Sequence, residues 1–193
     1  MTLRIAILFL FCCIGQLQAM AVELPGFAVA DNPIPVFNSP KAASSQATLR
    51  KDHCGQLRQL EFLALPGTTF EVIATPAGAP GVLQVRTNEY QAPPGTQLYV
   101  TADLLTLQST APPRRVPQLP EPSKIMQQLY SAVGLPYVWG GNLRGGVIQA
   151  GQVRFAGLDC SGLLYEATDG YTPRNTEQLV DFGKAVAIEG KNI

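Results

Sequence analysis

Asp159-Cys160-Ser161-Gly162 is where residue types and their order can do covalent chemistry in this chain. If Asp159 caps a helix that begins at Cys160, the thiol stands in the first turn. Unpaired backbone N–H groups and the helix dipole favour an anion there, and the thiolate is the nucleophilic form of cysteine. Ser161 and Gly162 are small, which leaves room for a substrate carbonyl to approach Sγ. The N–H groups of the same turn can hold the oxyanion that develops on attack. A thiol that cleaves an amide also needs a base within hydrogen-bond reach, with a third group orienting it. The sequence has one histidine, His53, far upstream, and none after Cys160. Two ordinary readings stand beside the catalytic one. Cys160 pairs with Cys54 as a disulfide, and His53 is a surface or packing residue. His53 and Cys54 are adjacent and form no spaced ligand set, so neither a metal nor another cofactor is expected.

The elements that would position Cys160 follow from punctuation and period. With 193 residues, 46% of them hydrophobic and 15% charged, the chain can build one sizeable core or two small ones. Fourteen basic residues balance fourteen acidic ones, so bulk charge selects neither nucleic acid nor an anionic membrane surface. Thr69–Ala74, Val82–Arg86 and Gln97–Thr101 are rich in Val, Phe and Tyr and are separated by Pro and Gly turns, which predicts a small all-β barrel over residues 27–110. A helical period competes only around Leu57–Leu63. Residues 111–122 hold five prolines and predict an extended linker. Beyond it, Ser123 can cap a helix carrying Ile125, Met126, Leu129 and Val133 and stopped by Gly134. A second helix carries Leu163, Leu164 and Ala167 and ends at Asp169-Gly170. A third starts at an Asn175 cap, with Gln178 completing a capping box, and Lys184–Ile188 reads as a strand. The fold class is α+β.

Residues 1–21 read as a secretory signal peptide: Arg4, an apolar run from Ile5 to Ile14, then Ala19-Met20-Ala21, with cleavage after Ala21 or Ala19. The apolar run is short for a membrane span, and Cys12 and Cys13 lack the small residue before them that a lipid anchor needs. The mature protein is expected to be exported, to the periplasm or cell envelope, without membrane attachment.

Three segments in order, Gly134-Leu-Pro-Tyr-Val-Trp-Gly-Gly141, Gly157-Leu-Asp-Cys-Ser-Gly-Leu163 and Thr172-Pro-Arg-Asn-Thr-Glu-Gln178, resemble the successive signatures of the NlpC/P60 family of cysteine peptidases. The likeness covers about Ser123 to Val186. The upstream β region, with Pro33–Phe37 and Tyr99–Asp103, resembles the bacterial SH3-like domains that often precede this catalytic domain. The resemblance implies a papain-like fold, a nucleophile at Cys160, and hydrolysis of peptidoglycan stem peptides, often between D-glutamate and a diamino acid. It implies that Tyr137 stands beside the nucleophile and that Asp159 and Ser161 line a pocket for the substrate amine. Trp139, Gly140 and Gly141 read as packing and close-approach residues. Arg174 and Gln178 serve either near the site or as helix-start and packing residues. The connection Asn142–Leu158 is longer than the family's usual one and is expected to reshape the cleft's rim.

In that family the catalytic histidine lies downstream on a strand. Residues 123–193 are therefore expected to be the N-terminal part of the catalytic domain of a longer enzyme, inactive alone. Two alternatives remain, a non-catalytic cell-wall binding protein and an amidase acting between muramic acid and L-alanine.

Overall fold

The structure is a computed structural model and describes residues 25–44 and 49–184. Seven strands form one antiparallel sheet: β1 (Phe27–Ala30), β2 (Ile34–Phe37), β3 (Leu60–Ala64), β4 (Thr69–Ala74), β5 (Val82–Arg86), β6 (Leu98–Thr101) and β7 (Leu105–Gln108). Their order is β3-β2-β6-β5-β4-β1-β7. The sheet curls around a cluster that takes Ala28, Val36, Phe62, Phe70, Val85 and Val100 from six different strands. Apolar side chains at every second position of these strands face one core. A short helix, α1 (Pro40–Ser44), follows β2, and the turn Ala102–Leu104 joins β6 to β7.

The remaining elements are α2 (Pro122–Ser131), β8 (Asn142–Leu143), β9 (Val147–Gln149), β10 (Gln152–Arg154), β11 (Gly157–Leu158), α3 (Cys160–Ala167) and α4 (Thr176–Val180). The molecule is thus α+β with a large antiparallel sheet. Residues 111–121 form neither helix nor strand. No helix among the described residues is long and apolar enough to cross a membrane. The signal peptide lies outside the described residues, as does all but the first residue of the strand expected at Lys184–Ile188.

Two expectations are corrected. The segment Leu57–Leu63 holds no helix, because Leu60–Ala64 is β3. Phe62 and Ala64 enter the first core, whereas Leu60 and Leu63 enter a second cluster with Phe37, Val82, Tyr99 and Val147. A strand buried on both faces loses the alternation that marks strands in sequence. The second correction concerns α2. Its N-cap is Glu121, without a side-chain bond, and Pro122 opens the helix, since proline's fixed φ and missing N–H suit that position. Ser123 lies inside the first turn.

The second cluster joins the two parts of the chain. Val138, Leu143 and Phe155 pack against it, and Phe155 meets Phe37 edge to face at 6.0 Å. At the sheet's end strand, the fully buried Asn142 receives Leu63 N on Oδ1 and donates Nδ2 to Leu63 O, each at 2.8 Å. It satisfies the outward backbone groups of an edge strand. Asn142→Ala would strand that buried N–H and C=O, so a loss of about 2–4 kcal/mol is expected in urea unfolding. A loss below about 0.5 kcal/mol would show that water reaches Leu63.

Candidate active site

Cys160 opens α3, and Asp159 is that helix's N-cap: its Oδ1 accepts from Gly162 N at 2.7 Å. The N–H groups of Cys160 and Ser161, first in the helix, have no intrahelical acceptor. Gly162 is required where it stands, because a Cβ there would lie 2.0 Å from Gly141 O. Gly140, at φ +72, brings the backbone so near β3 that a Cβ would lie 2.6 Å from Leu60 O.

The Asp159 carboxylate is the hub of a buried network. Arg174, 2% exposed, donates Nη2 to Oδ2 at 2.7 Å and Nη1 to Oδ1 at 3.1 Å. Gly140 N donates to Oδ2, and Ser161 Oγ to Oδ1. Arg174 Nη1 also reaches Ser161 Oγ at 2.8 Å. Asp159 and Ser161 are therefore engaged mainly in holding the start of α3. Arg174 belongs to this network, while Gln178 lies outside the cleft.

That cleft, of about 220 Å³, brings together Tyr137, Asp159, Cys160 and Ser161 with Trp139, Arg174, Glu61 of β3 and Tyr90 of the connection between β5 and β6. Tyr137 is half exposed. Its hydroxyl is held protonated above the usual phenol range by burial first, then by the negative charge of Asp159. Tyr90 donates to Glu61 Oε2 at 2.6 Å, and its ring stacks on Phe62. Burial, then the bond to Glu61, push its pKa well above the ordinary range. Glu61 Oε1 accepts from Asn38 Nδ2 at 2.6 Å. Sequence reasoning missed Glu61 and Tyr90, which no local motif marks and which join the cleft only through the fold.

His53 is not among the residues lining the cleft. It lies in an exposed turn in which Asp52 accepts from Cys54 N, Gln56 N and Arg58 Nε, and the bond from Arg58, the largest cause, holds Asp52 at a pKa of about 2. The turn abuts the cleft: Gln56 accepts from Trp139 N at 3.1 Å, and the Arg58 guanidinium sits 3.9 Å over the Trp139 ring. Asp52, passed over in sequence, joins His53 and Cys54 with ligand atoms within 4.8 Å of one another, although its carboxylate already serves three donors. Cys54 and Cys160 are both free and exposed, so the disulfide reading does not describe this structure. The Asn142–Leu158 connection folds into β8 to β11, with β9 paired to β10 and β8 to β11. It contributes nothing to the lining of the Cys160 cleft, contrary to the rim expected for it.

No family model matches the sequence, and no curated protein does. Among solved structures, the chain is similar to a crystal structure of an NlpC/P60 family protein from Bacillus cereus ATCC 10987, with 15% identity and a TM-score of 0.28, over 86% of this chain and 44% of that one. The chain spans less than half the length of that protein. A likeness of this depth defines neither the fold nor any residue's role.

Proposed function

We propose that this chain is an exported peptidoglycan hydrolase of the cysteine endopeptidase type, acting on stem peptides at the bond between D-glutamate and a diamino acid. The observation that carries the reading is the placement of Cys160 at a capped helix start, in a cleft with Tyr137, Glu61 and Tyr90. The thiolate attacks the amide carbonyl, the C–N bond breaks as the diamino-acid amine takes a proton from solvent and leaves, and water hydrolyses the acyl-enzyme to a carboxylate and the free thiol. The N–H groups of Cys160 and Ser161 and the Tyr137 hydroxyl receive the developing oxyanion. Glu61, which accepts from the neutral donors Tyr90 and Asn38 and pairs with no cation among the described residues, supplies the acceptor for a substrate amine, whereas Asp159 is paired with Arg174. The sheet, read as an SH3-like domain over residues 27–110, then completes the cleft, and residues 111–122 connect it to a papain-like portion.

A wall-binding protein without catalysis is the second reading, favoured by the absence of histidine from the cleft lining. The test is digestion of purified peptidoglycan with the protein isolated from its source cells, with products read by mass spectrometry. Release of peptides that begin with the diamino acid supports the endopeptidase. New L-alanine amines indicate an amidase, and retention on the wall without release leaves binding alone.

A further inference from the structure

The segment joining the sheet to the Cys160 half carries a side chain that touches both. Arg115 donates Nε and Nη2 to Glu89 Oε2 at 3.1 and 2.5 Å, Nη2 to Tyr165 Oη at 2.8 Å, and Nη1 to Asp169 O at 3.3 Å. Tyr165 in turn donates to Glu89 Oε2 at 3.2 Å. Glu89 stands just beyond β5, and Tyr165 lies on α3, the helix that Cys160 opens. The Arg115 and Glu89 side chains are each 17% exposed, and Tyr165 is 2% exposed. At Gly170 the guanidinium lies so close that a Cβ would be 2.6 Å from Nη2. A forked cation shared by a carboxylate, a hydroxyl and a carbonyl is held in one geometry, which an exposed ion pair is not.

The residue after Glu89 is Tyr90, the cleft wall bonded to Glu61. The residue after that, Gln91, accepts through its carbonyl from Asn175 Nδ2 at 2.9 Å, beside Arg174. Tyr90 is thus flanked by two ties to the Cys160 half.

Resting on the reading of this cleft as the substrate site, we infer that Arg115 is a positioning residue that sets the amine end of the cleft by fixing Glu89, and through it Tyr90 and Glu61, against helix α3. Its effect falls on substrate affinity at that end, at a distance from Sγ.

The chain has a single tryptophan, Trp139, which lines the cleft, so its fluorescence reports occupancy without any need for turnover. The experiment titrates the full chain with L-alanyl-γ-D-glutamyl-L-lysine, comparing wild type, Arg115→Ala, Tyr90→Phe and the double variant. Arg115→Ala is expected to weaken binding about tenfold, and the double variant to bind no more weakly than the weaker single. A role confined to global stability gives independent, additive losses instead. Arg115→Lys restores part of the affinity, because an ammonium can meet Glu89 but cannot fork to Tyr165 and Asp169. Wild-type fluorescence that ignores the tripeptide overturns both the site reading and the inference. A wild-type response with additive losses, or with none on Arg115→Ala, overturns the role of Arg115 alone.

Discussion

Replacing Arg174 with methionine is expected to lower the free energy of unfolding by about 3–5 kcal/mol, the usual cost of removing one partner from a buried ion pair. The pair is two-pronged, with side chains 3% and 12% exposed, so solvent screens it little. Methionine fills much of the volume but leaves the Asp159 charge without its cation, facing Gly140 N, Gly162 N and Ser161 Oγ. Asp159→Asn is expected to cost a similar amount by the opposite route. Asparagine still caps α3, but the guanidinium is then buried without its anion. The double variant should lose clearly less than the two single losses summed, because neither charge remains. Urea unfolding at unchanged m-value measures all three. Additive losses would mean that Arg174 and Asp159 act independently, which their geometry forbids.

The same network shows how far the sequence could be read. Asp159 as cap was legible because a cap and the N–H it receives lie within one turn. The strands Thr69–Ala74 and Val82–Arg86 were legible because glycine and proline punctuate them. The Arg174 pair was not, since its partner is 15 residues away and the contact depends on how α4 enters. Glu61 and Tyr90 were invisible for the same reason, being 29 residues apart and brought into the Cys160 cleft by the fold. β3 misled because its second face is covered by Val138, Leu143 and Val147, which no local pattern announces. Local rules placed Cys160 at a capped helix start, whereas the residues that brace that start and the rest of the cleft lining are products of tertiary packing.

Cys160→Ala is expected to abolish release of the diamino acid by the protein isolated from its source cells, a loss of more than about a thousandfold, while leaving tripeptide binding by Trp139 fluorescence within about twofold. The split follows from the geometry. Glu61, proposed as the amine acceptor, the Tyr90 wall and the Arg174–Asp159 brace do not use Sγ, so removing it deletes the proposed bond-forming atom and little of the cleft surface. Cys160→Ser should be nearly as inactive, since a hydroxyl needs a strong neighbouring base to attack an amide and no histidine lines the cleft. The exposed Cys160 is expected to be alkylated by iodoacetamide, read on the peptide carrying Cys160 so that Cys54 does not confound it. A Cys160→Ala protein that cleaves at the wild-type rate would remove the thiol from the mechanism. Turnover by the 193-residue chain, lost on Cys160→Ala, would show that a group other than histidine accepts the proton in this cleft.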